Sequence, residues 1–99
     1  MDYSDAPGFM VKTKDSDEAA YLWTRDKEFF LDHVETSEFQ GNGKIVVWFF
    51  FTTKFKEDVV SEIRYNYRLG KARVEPKDYS RKRNEIKAII KEKCQFFKS

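Results

Sequence analysis

The apolar positions of this chain fall into blocks of two distinct periods, and the densest block is Lys44 to Thr53, KIVVWFFFTT. Read with a period of two, Ile45, Val47, Phe49 and Phe51 form one face and Val46, Trp48, Phe50 and Thr52 the other. Both faces are apolar, which predicts a strand covered on both sides, at least over its middle. The run is short and rich in β-branched residues, so a strand is favoured over a helix. Phe9 to Lys14 also alternates, with Phe9, Val11 and Thr13 opposite Met10, Lys12 and Lys14, and reads as a half-buried strand. Glu28 to Thr36 is a further strand, with Phe29, Leu31 and His33 opposite Phe30, Asp32 and Val34. Gly41, Asn42 and Gly43 tolerate positive φ, so the Ser37–Gly43 segment predicts a hairpin that makes the second and third strands antiparallel.

Three stretches carry the helical period. Asp15 or Ser16 can cap a first helix that runs to about Asp26, with Asp17 and Glu18 where the helix dipole favours negative charge and Glu18 in a box-like position. Ala19, Ala20, Leu22 and Trp23 form its apolar stripe, and the alanines permit close approach. Thr52 or Thr53 can cap a second helix, whose face is Phe55, Val59, Ile63 and Tyr67 with Val60 beside them. Gly70 follows Leu69 as the glycine past a helix end should. Lys71 to Glu75 is a short extended link, and Pro76 opens a third helix to about Phe96. Tyr79, Arg83, Ile86, Ile90 and Phe97 share one face of that helix, with Ile89 and Cys94 on its shoulders.

The predicted order is β-α-β-β-α-α. It describes an α+β domain, a small, mainly antiparallel three-stranded sheet covered by helices, over residues 9–99. Residues 1–8 read as a flexible lead. Three strands leave two edges, one of which a sheet-extending homodimer or a partner strand would cover.

The pattern resembles a family of short bacterial and phage-like proteins, the domain-of-unknown-function family numbered 5659. The likeness rests on Phe9 to Asp15 (FMVKTKD), Ala19 and Ala20, the aromatic strand Val46 to Phe51, and above all Asn66 to Tyr79 (NYRLGKARVEPKDY). There the family tends to show an Arg-Val-Asp-Pro element, and Glu75 takes the place of the acid. The likeness spans about residues 9–93 and departs from the family at Arg25 to Glu28. It implies the same element order and a phage or mobile-element context, and no activity.

Charge adds an asymmetry that the net value of +2 conceals. Residues 1–43 hold 4 Lys/Arg and 10 Asp/Glu, a net of −6, and residues 44–99 hold 15 and 7, a net of +8. Either a partner of one sign meets one half, or the halves interleave in space and cancel. The single cysteine, Cys94, excludes an intramolecular disulfide and fits a reducing, cytoplasmic setting as a small apolar filler. The start of the chain lacks the apolar segment of a secretory signal, and the apolar run is too short to span a bilayer as a helix, so no membrane association is expected.

Candidate chemistry concentrates in Arg64 to Arg83. Arg64, Arg68, Lys71, Arg73, Lys77, Arg81, Lys82 and Arg83 supply cations, and Tyr65, Tyr67 and Tyr79 are interleaved. Phosphates need such cations, and tyrosines offer stacking surfaces for unpaired bases. The free N–H groups of a helix starting at Pro76 would favour an anion. This segment predicts binding to nucleic acid or another polyanion. The alternative is that these are solvated helix faces. His33 is the sole histidine, with no second histidine or adjacent thiol, and the serines have no triad partner. No metal, cofactor or enzymatic activity is therefore expected. A different hypothesis is a phage counter-defence inhibitor of anti-CRISPR type, acting on a host nucleoprotein complex with an acidic, nucleic-acid-mimicking surface of Asp26, Asp32, Glu35 and Glu38. A third is a homo-oligomeric accessory protein with Trp48 or Phe96 and Phe97 in the contact.

Overall fold

The computed structural model describes residues 9–39 and 44–98. The expected N-terminal lead and the Gly41–Gly43 turn lie outside the described residues, as do the side chains of Phe96 and Phe97. The elements follow the predicted β-α-β-β-α-α order: β1 (Phe9–Thr13), α1 (Ser16–Thr24), β2 (Phe29–Phe39), β3 (Lys44–Thr53), α2 (Glu57–Arg68) and α3 (Pro76–Lys98). The protein is an α+β domain whose sheet has the order β1-β3-β2, with β3 antiparallel to both neighbours.

Placing β3 at the centre follows from its composition, because a strand apolar along its whole length is best accommodated away from an edge. β1 covers only Phe49 to Thr53 of it, while β2 pairs along its full length, from Lys44 to Thr53. On one face of the sheet, Val47, Phe49 and Phe51 of β3 join Val11 of β1 and Phe29 of β2. Ala19, Ala20 and Leu22 of α1, Val60 of α2 and Ile86 of α3 close over them in a single core. Phe29, Phe49 and Phe51 are fully buried there. The exposure of Ala19 and Ala20 falls to 0%, which is the close approach that their small side chains permit.

The other face departs from expectation. Val46, Trp48, Phe50 and Thr52 are only half-buried, Met10 and Phe30 beside them are exposed, and none belongs to the core. Among the described residues, β3 is therefore covered on one side. The neighbouring strands explain why: β1 presents Lys12 and β2 presents Glu35 and Ser37 on that side, and no apolar helix face could pack on them without burying their charge.

A β-bulge sets which side chains of β2 join each face. Leu31 pairs with Phe51 and His33 with Phe50, so Asp32 is the inserted residue. A strict alternation groups His33 with Phe29 and Leu31. The inserted residue instead places Val34 opposite Phe49 on the core side and His33 on the open side. Burying Val34 rather than a polar imidazole is the driving force.

Helix termini divide between expected and altered caps. Asp15 caps α1, its carboxylate accepting from the N–H groups of Asp17 and Glu18 at 2.9 and 3.2 Å. Neither Thr52 nor Thr53 caps α2. Both remain in β3, and Thr53 Oγ1 accepts from the Phe55 N–H, turning the chain out of the sheet. Lys56 occupies the N-cap position with no side-chain cap bond, and Glu57 and Asp58 favour the dipole. At the other end of α2, Gly70 has φ 75°, its N–H donates to the Tyr67 carbonyl, and the Lys71 N–H donates to the Asn66 carbonyl. These two bonds form a Schellman stop.

Two stability predictions follow from this packing. Phe49→Ala should cost about 3–5 kcal/mol, whereas Phe50→Ala on the open face should cost about 1 kcal/mol. Urea unfolding reads both, and equal losses would refute one-sided coverage of β3. A Cβ at Gly70 meets no atom within 4 Å, so only the backbone opposes Gly70→Ala. That variant should lose about 1–2 kcal/mol, and an unchanged urea midpoint would show that positive φ is not required there.

Candidate nucleic-acid interface

The basic segment does not form one surface. Three of its eight cations, Arg64, Arg68 and Arg83, meet acids of the first half of the chain, Arg81 and Lys82 meet acids within α3, and the two halves interleave where α1 faces the basic helices. Glu18 is buried on α1, with its side chain only 3% exposed, and Arg64 Nη2 donates to it at 2.7 Å. Arg68 Nε lies 3.8 Å from the same carboxylate, with a largely exposed side chain. Arg83 donates to Asp17 at 2.9 Å, and Arg81 to Asp78 at 3.0 Å.

Lys82 is the clearest correction. It, rather than Arg83, lies on the inner side of α3, with its side chain 17% exposed and its ammonium 4.4 Å from the Trp23 ring centroid and near Glu85. A Lys82 held this way is a packing element of the α1–α3 contact. Tyr79 is half-buried against the core, next to Tyr67. Burial, and then Tyr79, pushes the Tyr67 phenol pKa upward, while the Tyr67 ring stacks on Tyr21 at 4.8 Å. Neither Tyr67 nor Tyr79 is therefore an open stacking surface. The expected anion site at the start of α3 is filled from within, since the Glu75 carboxylate accepts from the Asp78 N–H at 2.8 Å. Tyr65, Lys71, Arg73 and Lys77 are exposed.

The acidic set is also divided. Asp26 lies in the turn after α1, Asp32 is the bulged residue of β2, and Glu35 is on the open face of the sheet. Glu38 has the opposite parity, with Val34 and Thr36. These four acids do not form one face.

The structure instead assembles a different aromatic and basic surface. On the open face of the sheet, Lys12 lies opposite Phe50, with His33 on the far side of Phe50, and Glu35 lies opposite Trp48. The His33 and Phe50 rings stack at 4.4 Å with planes 10° apart, and Asp32 fixes His33 Nδ1 at 2.5 Å. The ammonium groups of Lys12 and Lys14 lie 5.1 and 5.8 Å from the Trp48 ring centroid. The Trp48 indole N–H donates to Ser37 Oγ at 3.3 Å, which fixes the ring across the sheet.

Beyond the short β1, Trp48 also borders a shallow groove whose cations are Lys12, Lys14, Arg64 and Arg68. The acids of that groove, Asp15 and Glu18, are committed to the α1 cap and to Arg64. Arg64 and Arg68 of the predicted set thus do come together, joined by two lysines that sequence reasoning left out. The available signal was the outward parity of β1, where Lys12 and Lys14 alternate with Val11 and Thr13 beside a two-faced aromatic strand.

Among the described residues, no group of three or more His, Cys, Asp and Glu side chains could hold a metal ion. No described helix is long and apolar enough to cross a membrane. No family model matches the chain, and no curated protein or solved structure matches it.

The Glu18 pair yields a sharp contrast. Arg64→Ala would leave a buried carboxylate with only the more distant Arg68 and should cost about 3 kcal/mol or more. Arg68→Ala, at an exposed position, should cost about 0.5 kcal/mol. Urea denaturation of the two variants separates them, and a mild Arg64→Ala would mean that Glu18 is solvated.

Proposed function

We propose that this protein is a non-enzymatic binder of single-stranded nucleic acid and that the open face of its sheet is the platform. The observation that carries this reading is Trp48, held by Ser37 on an uncovered sheet face with two lysine ammonium groups against its ring. Unpaired bases stack on exposed aromatic rings regardless of sequence, while cations beside the rings meet the phosphates. Trp48 and Phe50 are two residues apart on one strand, hence about 7 Å, a step comparable with one nucleotide of an extended strand. Lysine stems are flexible, so Lys12 and Lys14 can exchange the ring for a phosphate as a base takes their place.

Lys12, Lys14 and Arg68 are the cations best placed to meet phosphates. Arg64 contributes chiefly by anchoring Glu18 beneath the groove. The exposed Lys71 and Arg73 of the α2–α3 link, with Lys77 in the first turn of α3, form the competing basic stretch. A duplex hides its bases, so this face should favour single strands.

Fluorescence anisotropy with labelled single-stranded DNA, RNA and duplex DNA across a salt series tests the reading. Three phosphate contacts should give a slope of log affinity against log salt of about −2. Trp48→Ala should weaken single-strand binding by about 1–3 kcal/mol, and Lys12→Ala with Lys14→Ala should flatten the slope. Loss on Arg73→Ala with Lys77→Ala, and none on Lys12→Ala with Lys14→Ala, would move the site to the link. Absence of binding at low salt would sink the proposal.

A further inference from the structure

We infer that Glu35 and Ser37 make this face selective for guanine, an inference that rests on the sheet-face reading of the preceding section. A carboxylate is out of place on a surface built to attract phosphates. Glu35 nevertheless lies opposite Trp48 in register and shares a groove with Lys12, Ser37, Trp48 and Phe50. Its side chain is 61% exposed, and its separation from His33 Nε2, 3.7 Å, is too long for a hydrogen bond. The short contact to His33 belongs to Asp32, on the other ring nitrogen. The Glu35 carboxylate therefore retains its acceptor capacity towards the groove.

Ser37 stands two residues further along β2 on the same face. Its Oγ accepts from the Trp48 indole N–H, so its own hydroxyl hydrogen remains to be donated. Side by side, the two residues present two acceptors and a donor. The Watson–Crick edge of guanine presents the complement: the N2 amino group and N1–H as adjacent donors, then O6 as acceptor. Adenine and cytosine place a ring-nitrogen acceptor next to a single amino group. Thymine and uracil flank their one N–H with two carbonyl oxygens. Each of these would turn at least one acceptor towards the carboxylate. The mismatch works against the wrong base as well as for the right one.

On this geometry the strand has a direction across the sheet. Its phosphates follow the Lys12 and Lys14 side, and its base edges point to β2.

The test compares labelled short oligothymidylates that carry one central guanine, adenine or cytosine, or none, by fluorescence anisotropy on the whole chain and on Glu35→Gln. The native protein should bind the guanine oligomer roughly 5- to 150-fold more tightly than the others, as a good bidentate contact would give. Glu35→Gln, which replaces one acceptor oxygen with a donor, should abolish that preference and bind the all-thymine oligomer at least as tightly as before. Equal affinity of the native protein for all four oligomers, or a guanine preference that survives in Glu35→Gln, would overturn the assignment while leaving the sheet-face reading intact. Binding to none of the oligomers would overturn both.

Discussion

The architecture depends on one constraint: β3 is apolar on both faces, and the helices cover only one. Phe49 and Phe51 disappear beneath α1, α2 and α3, and each such side chain contributes about 1.5–3 kcal/mol through its burial. The opposite face cannot be treated the same way, because β1 and β2 contribute Lys12, His33, Glu35 and Ser37 to it. The aromatic rings left there are sheltered by polar neighbours. Lysine ammonium groups approach Trp48, and the imidazole of His33 stacks on Phe50. Such shelter limits the cost of exposure without sealing the surface, and a ligand ring can replace it.

Charge is divided by the same logic. The acidic start of α1 faces the basic helices, and the resulting pairs, Glu18 with Arg64 and Asp17 with Arg83, link α1 to α2 and α3. Cations used in this way hold the fold together and are not available to a distant partner. The cations that border the open aromatic face come from β1 and the residue just after its end, Lys12 and Lys14, with Arg68 beyond them. A polyanion that approached the protein would thus meet Lys12 and Lys14 in a setting where rings lie within reach. The exposed cations of the α2–α3 link have only Tyr65 as an exposed tyrosine nearby in sequence.

The bulge at Asp32 connects the two faces. It lets Leu31 and Val34 both reach the core while His33 crosses to the open side. Were Asp32 paired in a regular ladder instead of bulged out, Val34 would lie beside Trp48 and Phe50, and His33 would face the apolar core. One residue of slippage thus decides the chemistry of the open surface and keeps Glu35 and Ser37 in one row beside Trp48.

The sequence by itself determined the element order, the antiparallel pairing of β2 with β3, a cap for α1 at Asp15 or Ser16, of which Asp15 is the one used, and the Gly70 stop. Each of these is local: a side-chain period, a carboxylate three residues from an N–H, or a glycine where φ must be positive. Tertiary structure alone decided which face of β3 would be covered and which cations would be consumed. Whether Arg64 is a ligand-binding cation or the partner of a buried carboxylate depends on a residue 46 positions away. Lys82 is a solvated cation until Trp23 of another helix is placed under it. The hydrophobic period of a strand states what each side chain prefers. It does not say how many helices are available to satisfy both faces, and with Lys12 and Glu35 on one of them, the answer here was one face only.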